Sequence, residues 1–366
     1  MKAALVCPTI GQTRRGYERF MTELHQLIRD EVDVTLFKGG GTSIGDEVVV
    51  PHVTRTGRAA RLCGNRLKFL RYRLEFASFA HAMRPLLVRG GFDLVHFIDP
   101  PLARPLARLR ARNRLGYRLL YTQAGPDPDD AWRFADRVHC LTPEACDALT
   151  HAGLAADRIE MLPVGLHAAR GRPSATRAEL RQRSGLSTEA FVVLAVTTLN
   201  RRHKRVDHLI EEVAAAGPGV CLWIDAGLQP DGDPALIELA RQRLGDRFRH
   251  THVPTGQVDD LYRLADVLVS AAVEETFGMA IVEAMSCGLP VVTHDSPHFR
   301  WLVGAGGHLV DMGKRGRLAS LLADFRSGRV PLAPRDAPAG VLQRFGWDVL
   351  RPHYLAMYRT AAGATE

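Results

Sequence analysis

The chain has 366 residues, enough for two domains of ordinary size, and its 46% hydrophobic and 24% charged residues are typical of a globular protein. This composition argues against a disordered or fibrous chain, and six scattered cysteines without a C-x-x-C pair argue against a zinc-binding module. The formal net charge of +8 suits an anionic partner, whether a phosphorylated substrate, a lipid surface or nucleic acid.

The first residues of the sequence and its hydropathy indicate where in the cell the protein is expected. The apolar run within residues 1–8 is too short for a signal peptide, and no small-residue cleavage site follows it. No window reaches the roughly 20 apolar residues that a membrane-spanning helix needs. We therefore expect a soluble cytoplasmic protein, with peripheral contact at the inner face of a membrane as an open alternative.

The first part of the chain alternates short apolar runs with amphipathic stretches. This pattern predicts strands at 2–7, 32–37, 48–53, 93–98, 117–122 and 137–141, and helices at about 16–29, 60–88, 102–113 and 143–152. The segment 164–174, rich in glycine, arginine and small residues, then interrupts the pattern. We place the domain boundary there, with a first domain over 1–168 and a second over 169–346.

The same alternation resumes in the second domain. It predicts strands at 190–197, 219–225, 248–252, 267–271, 290–293 and 307–310, and helices at about 205–215, 234–244, 257–264, 278–287 and 314–326. A closing helix in 347–366 is expected to pack back on the first domain. Each half holds about six strands, which predicts two doubly wound α/β domains with parallel sheets. Because ligands bind beyond the carboxyl ends of such strands, the cleft between the halves is the expected site.

Two glutamates follow the predicted strand at 267–271. Glu275 lies in a loop, Gly278 opens a helix, and Glu283 comes about one and a half turns further on. The N–H groups and partial positive charge of a helix N-terminus suit a diphosphate, and glycine lets a ligand approach the backbone closely. Acids near a helix start are also favoured without any ligand. The apolar neighbours of Glu283 nevertheless favour a binding role, in which Glu283 meets paired ribose hydroxyls and Glu275 meets sugar hydroxyls.

This stretch resembles the E-x7-E signature of the retaining GT-B glycosyltransferases of family 4. Every fixed position of that pattern is met, namely Glu275, Phe277, Gly278, Glu283, Ala284, Met285, Gly288, Pro290, Val291 and Val292. The resemblance implies two Rossmann-like domains facing a central cleft, the first binding an acceptor and the second a nucleotide-sugar donor. It also implies that Glu275 faces the donor sugar, that Glu283 binds the ribose, and that backbone amides around Phe277, Gly278 and Met279 contact the sugar and phosphates.

A second segment, 195–205, resembles the strand-end loop of the same family, in which G-R-L is followed by a lysine. Lys204 falls on the lysine that neutralises the leaving diphosphate, and Thr198 stands where the family usually has arginine. Arg201 or Arg202 is a candidate for the missing arginine's role at the donor phosphates. The alternative is that this basic run is a solvated loop.

Other candidates are single residues. Gly16 lies in a stretch that resembles the family's G-G-x-E-R loop, and it either approaches donor or acceptor or simply forms a turn. Gln123 occupies the place where many relatives carry a histidine, which makes it a candidate for positioning donor or acceptor. Base recognition is expected near Val253, through the backbone. His96 ends an apolar strand and is expected to be a core histidine.

Two charged segments have competing interpretations. Asp231-Gly232-Asp233 resembles a metal-binding D-x-D motif, but the adjacent Pro230 and Pro234 favour a turn and a helix cap, so we predict no metal and no other cofactor. The segment 54–73 holds seven basic residues and no acidic ones. It could bind an anionic acceptor or an anionic membrane surface, or it could be a solvated helix face.

The sequence thus predicts a metal-independent transfer of a sugar from a nucleotide diphosphate to an acceptor hydroxyl, with retention of configuration implied by the family. The acceptor would be a glycan, a lipid-linked sugar or a natural product. The alternatives are a GT-B sugar-nucleotide epimerase and a non-catalytic protein that binds nucleotide-sugars or nucleic acid. Nucleic acid is not expected, since no nucleic-acid-binding module is present. A dinucleotide oxidoreductase is disfavoured because no G-x-G-x-x-G follows the first strand.

Overall fold

The chain forms two compact units in the computed structural model, which describes residues 1–12, 16–55, 57, 68–125, 127–167, 175–187, 189–227, 232–254, 257–332 and 338–363. The first unit consists of Met1–Gly165 together with Trp347–Glu366, and the second of Leu166–Gly346. The boundary predicted at residue 168 lies outside the described residues.

The first unit is built on a parallel sheet with the strand order β3-β2-β1-β4-β5-β6-β7. Its strands are β1 (Lys2–Cys7), β2 (Asp33–Lys38), β3 (Glu47–Val49), β4 (Leu94–Phe97), β5 (Arg118–Gln123), β6 (Arg137–Cys140) and β7 (Ile159–Met161). The helices between them are α1 (Gly16–Ile28), α2 (Lys68–Gly90), α3 (Ala103–Arg112) and α4 (Pro143–His151). β7 is a seventh strand where about six were expected.

The second unit repeats this plan with the strand order β10-β9-β8-β11-β12-β13, again in parallel pairings. The helices are α5 (Arg177–Arg183), α6 (Val206–Ala215), α7 (Ala235–Leu244), α8 (Val258–Leu264), α9 (Met279–Ser286), α10 (Pro297–Val303), α11 (Arg317–Arg326) and α12 (Pro338–Phe345). The strands are β8 (Phe191–Val196), β9 (Val220–Asp225), β10 (Phe248–Thr251), β11 (Val267–Val269), β12 (Val291–His294) and β13 (Gly307–Val310). The chain then returns to the first unit in α13 (Trp347–Ala362).

Both sheets are covered on their two faces, which is why their strands are almost continuously apolar. In β1 every residue from Ala3 to Cys7 is fully buried, and in β8 Val192, Val193 and Leu194 are too. Parallel sheets require this burial, because crossover helices occupy each side. The predicted class, two doubly wound α/β domains, is confirmed.

Each sheet has a point at which the strand order reverses. It lies between β1 and β4 in the first unit and between β8 and β11 in the second. Ligands of doubly wound folds bind beyond the carboxyl ends of the strands at such a point. In the second unit the register pairs Val193 with Val267, so the loops that follow β8 and β11 are neighbours.

A chain of buried polar side chains links α13 to the sheet of the first unit. The Tyr358 hydroxyl contacts His96 Nδ1 at 2.6 Å, and His96 Nε2 contacts Thr122 Oγ1 at 2.7 Å. Thr122 Oγ1 lies 2.9 Å from His139 Nδ1, and His139 Nε2 lies 2.8 Å from the Leu162 carbonyl. Because a carbonyl only accepts, His139 Nε2 carries a proton, and every link can then be made with both imidazoles neutral. His96 is therefore a core histidine, as the sequence favoured.

Burial makes this chain sensitive to acid. It lowers the pKa of His139 to about 4 and the pKa of His96 well below its ordinary value. In the unfolded chain both histidines take up protons near pH 6.5, so between these limits the unfolded state binds more protons. The stability that depends on the neutral imidazoles is complete above about pH 6.5 and is lost as the pH falls.

We expect each of these histidines to cost about 2 kcal/mol of unfolding free energy between pH 7.5 and pH 5. Urea titrations at the two pH values measure this loss. His139→Gln should therefore lessen the loss of stability between the two pH values by about 2 kcal/mol, and His353→Asn, at an exposed position, is the control. The same pH dependence in His139→Gln as in the original protein would contradict the assignment.

No helix in the described part of the chain has the length and apolar character needed to cross a membrane.

Candidate active site

The two loops that meet at the reversal point of the second sheet carry Lys204 and Glu275. The Lys204 ammonium donates a hydrogen bond to Glu275 Oε2, although the two residues are 71 positions apart in the sequence. The pair is largely shielded from water, since the side chain of Lys204 is 28% exposed and that of Glu275 13%. The two residues predicted to meet the donor's diphosphate and sugar therefore lie in direct contact.

The loop after β8 is held in one conformation around Lys204. The side chain of Asn200 accepts from the His203 N–H at 2.8 Å, and its carbonyl accepts from the Val206 N–H at 3.1 Å. Arg205 has a left-handed backbone, with φ of 49°, and its guanidinium donates to the Met312 carbonyl at 2.6 Å. These bonds close the loop and fix the position from which Lys204 extends.

The loop after β11 turns sharply into α9 at Gly278. Gly278 has a φ of 103°, and a Cβ added there would lie 2.8 Å from Leu302 Cδ2, so glycine is required by both backbone and space. The first N–H groups of α9 have no acceptor within the helix, and they carry the positive end of its dipole. Met279 is the first residue of α9. An anion bound here would meet backbone donors and the Lys204 ammonium together.

Phe277 holds this turn in place through its buried ring. Its ring is 3% exposed and packs edge-on against Trp301 and Phe345, at centroid distances of 6.2 and 5.8 Å. Its carbonyl lies 3.1 Å from Nε2 of the buried His298, which can donate to it. Phe277 thus positions the backbone of the turn, and its aromatic ring is part of the core.

Glu283 is half-buried on α9 and has a partner that the sequence pattern did not reveal. Its Oε2 accepts a hydrogen bond from the hydroxyl of Tyr262 at 2.9 Å. Tyr262 belongs to α8 and is 1% exposed, so its hydroxyl orients the carboxylate from inside the unit. The two residues are 21 positions apart, and nothing in the local sequence pairs them.

Val253, expected at the donor base, has its backbone N–H already engaged. Asp225, at the end of β9, accepts from this N–H at 3.0 Å and from the Thr251 hydroxyl at 2.8 Å. A base could meet Val253 only through its carbonyl or its side chain. Asp225 is a buried positioning residue that the sequence analysis did not identify.

The structure separates the two arginines considered for the phosphates. Arg201 binds Asp233, with Nε 2.6 Å from Oδ2, and Asp233 also accepts from the Ala235 N–H at the start of α7. Arg202 is exposed, and Thr198 is half-buried in the same loop. Arg201 is therefore engaged in an ion pair, whereas Arg202 forms none with the residues that the structure describes.

The contacts of Asp233 agree with a turn that caps a helix, whereas Asp231 lies outside the described residues. Within the described ranges no group of three or more histidine, cysteine or acidic side chains is placed to hold a metal ion.

The remaining candidates belong to the first unit. Gly16 is the first residue of α1, and residues 13–15 before it lie outside the described residues. Gln123 ends β5, is 2% exposed, and donates through Nε2 to the carbonyls of Gly125 and Asp127 at 2.9 and 2.8 Å. Most of the basic segment 54–73, namely residues 56 and 58–67, is not described either.

Solved structures share this fold over the whole chain. Sucrose-phosphate synthase from Thermosynechococcus elongatus has a TM-score of 0.82 at 17% identity, covering 100% of both chains. HepE from Anabaena, solved in complex with UDP and glucose, has a TM-score of 0.77 at 20% identity, covering 98% of this chain and 100% of its own. Two Rossmann-like units that share this fold over the whole chain define a protein of the GT-B class.

Sequence comparison then identifies the family. The family model described as "Glycosyl transferases group 1" matches residues 190–325, and the one described as "Glycosyltransferase Family 4" matches residues 14–170. The chain belongs to the group 1 glycosyl transferases, which confirms the resemblance found in the E-x7-E stretch.

Curated relatives include D-inositol 3-phosphate glycosyltransferases from two organisms. The Rhodococcus jostii (strain RHA1) protein is 31% identical over 243 residues, which is 62% of this chain and 53% of the relative. The Segniliparus rotundus protein is 34% identical over 224 residues, 56% of this chain and 47% of the relative. The chain thus spans about half the length of the curated relatives it matches.

Proposed function

We propose that this protein transfers a sugar from a nucleotide-diphosphate donor, bound by its second unit, to a hydroxyl group of an acceptor. The observation that carries the proposal is the contact between Lys204 and Glu275 beside the N-terminus of α9. The cation and the free backbone donors suit the diphosphate and the negative charge that it gains on leaving. The carboxylate suits the sugar hydroxyls.

The proposed chemistry is the breaking of the bond between the sugar and the diphosphate. Negative charge grows on the departing diphosphate as the sugar becomes cationic. Lys204 and the first N–H groups of α9 are placed to stabilise that charge, and stabilisation of about 4 kcal/mol corresponds to roughly a thousandfold in rate. The acceptor hydroxyl forms the new bond to the sugar, and its proton leaves with the diphosphate.

The same two side chains explain how a donor would be recognised as a whole. In the structure Lys204 and Glu275 neutralise each other. A donor offers each of them a new partner, with phosphate oxygens for Lys204 and sugar hydroxyls for Glu275. Glu283, oriented by Tyr262, is proposed to accept hydrogen bonds from the ribose. Arg202, Thr198 and Val253 complete the proposed donor contacts.

We further propose that the reaction retains the anomeric configuration and needs no metal ion. Retention follows from the family resemblance. A metal-free reaction is supported by the Lys204 ammonium and the helix N-terminus, which supply positive charge where the diphosphate would lie. A cytoplasmic location, with peripheral membrane contact if the acceptor is lipid-linked, belongs to the same proposal.

The experiment is a panel of UDP-, GDP-, ADP- and dTDP-sugars, read by thermal shift and by donor consumption. UDP-glucose comes first, because a relative of this fold was solved with it. We expect one nucleotide series to stabilise the protein, by about 2.7 kcal/mol at a concentration of 100 times Kd. Stabilisation by none of the series would contradict the proposal.

Product analysis of the same reactions separates the rival functions. Donor turned into an epimer without acceptor would indicate an epimerase. Salt-sensitive binding of a polynucleotide, together with no effect of any nucleotide-sugar, would indicate a nucleic-acid-binding protein.

A further inference from the structure

Two polar side chains, Asp99 and Gln123, lie at the carboxyl ends of β4 and β5, next to the reversal point of the first sheet. The register of the sheet pairs Phe97 of β4 with Tyr121 of β5, and their rings stack with centroids 5.3 Å apart. Gln123 shares the face of Tyr121, because alternate residues of a strand lie on the same face, and Asp99 lies two residues beyond the end of β4. Asp99 and Gln123 therefore belong to the carboxyl ends of two neighbouring strands.

Each of these side chains has a buried oxygen without a hydrogen-bond partner among the described residues, namely Asp99 Oδ2 and Gln123 Oε1. The amide of Gln123 cannot rotate to hide its oxygen, because Nε2 is held by the Gly125 and Asp127 carbonyls. Buried polar groups are normally paired, since leaving one unpaired costs free energy. Two unpaired acceptors at the ends of neighbouring strands indicate a place that receives donors from a ligand.

The surroundings of Asp99 are acidic. The pKa of Asp99 is raised to about 7, mainly by burial and further by the nearby Glu18 and Glu75, while Arg55 opposes the rise. Arg55 is already bound to Glu75, with Nε 2.6 Å from Oε2, and lies over the ring of Tyr72. Among the described residues here, an anion would therefore meet repulsion, whereas hydroxyl groups would find acceptors.

We propose that Asp99 and Gln123 accept hydrogen bonds from two hydroxyl groups of an uncharged sugar or polyol, and that this subsite disfavours phosphorylated acceptors. This inference rests on the proposed glycosyl transfer, for which it names the class of acceptor. It sets the chain apart from the relatives named for D-inositol 3-phosphate. Hydroxyl groups suit the subsite because each can donate one hydrogen bond.

The test compares matched neutral and phosphorylated ligands on the whole protein. The probes are myo-inositol with D-inositol 3-phosphate, and D-glucose with glucose 6-phosphate, with binding followed by ligand-observed NMR in the presence of UDP. We expect the neutral compounds to bind at least about tenfold more tightly than their phosphate esters. Asp99→Asn and Gln123→Leu should each weaken neutral binding by about tenfold or more, the usual effect of losing a buried hydrogen bond.

A matched control is Asp129→Asn. Asp129 follows β5, and its carboxylate is satisfied by the Tyr121 hydroxyl at 2.6 Å and the Ala131 N–H at 2.7 Å. This variant should keep the ligand affinity of the original protein. Asp99→Asn should also raise the unfolding temperature without ligand, since it removes an unpaired carboxylate from an acidic surrounding.

The inference is overturned if the phosphate esters bind more tightly, if no neutral compound binds, or if Asp99→Asn lowers the unfolding temperature and leaves affinity unchanged. Nucleotide-sugar binding, measured separately, depends on Lys204 and Glu275 in the second unit. If the protein binds the neutral ligands but no nucleotide-sugar, the proposed transfer is refuted while the proposed subsite is supported.

Discussion

Glu275→Gln is expected to lower kcat for sugar transfer at least about a thousandfold, which corresponds to about 4 kcal/mol of transition-state stabilisation. The substitution keeps the shape of the side chain and removes its charge. It also releases Lys204, whose ammonium is bound to Glu275 in the structure. A nucleoside diphosphate without a sugar should therefore bind the variant more tightly, while the complete donor loses its contact with the carboxylate.

Steady-state kinetics and nucleotide titrations on the same preparations measure this opposite pair of effects. Glu274→Gln is the matched control, because Glu274 is the exposed neighbour in the same loop and should be replaceable without loss of turnover. Normal turnover by Glu275→Gln would remove Glu275 from the proposed site.

Lys204→Ala is expected to lower kcat by about a hundredfold to a thousandfold and to weaken nucleoside binding less. Its ammonium is proposed to act mainly as the diphosphate departs, when negative charge is greatest. The loss of Lys204 also leaves Glu275, a side chain only 13% exposed, without its cation. The two single substitutions should therefore not be additive, and the double variant should lose less than the product of the two losses.

Lys314→Ala provides the comparison for Lys204, because Lys314 is an exposed lysine of the same unit, paired with Asp311 at 3.1 Å. It should leave kcat unchanged. A purely structural Lys204 would give a different result, with a lowered unfolding temperature and equal changes in kcat and nucleoside affinity.

The fold was largely predictable because its strands are short apolar runs between turn residues. β1 and β13 have their predicted limits, and the other predicted strands lie within a few residues of theirs. Three short helices, α5, α10 and α12, were missed, whereas the equally short α8 was predicted. α5 begins with Thr176 and Glu179 in a capping box, which is a recognisable sequence signal, and α10 begins with Ser296 and a proline. Each of these two helices, however, spans only about two turns, so its helical period is a weak signal.

The site was predictable where one continuous stretch carries it and not where distant segments meet. Glu275 and Gly278 are readable from their spacing. The bond from Tyr262 to Glu283 depends on how α8 packs beside α9, and that of Asp225 to Val253 depends on where the chain turns after β10. The order of the strands in the sheet brings such partners together. That order cannot be deduced from the number of residues between the partners.

The path of the chain through its two units has a consequence for folding during synthesis. Leu166 and Phe345, near the two ends of the second unit, are joined by a backbone hydrogen bond of 2.8 Å, so that unit is inserted into the first as a closed loop. All of its strands precede α13, and it can reach its native core while the ribosome is still working. The first unit is translated earlier but completes its fold later. Its buried His96 hydrogen-bonds to Tyr358, which is translated only with Trp347–Ala362. The part of the protein made first is the part completed last.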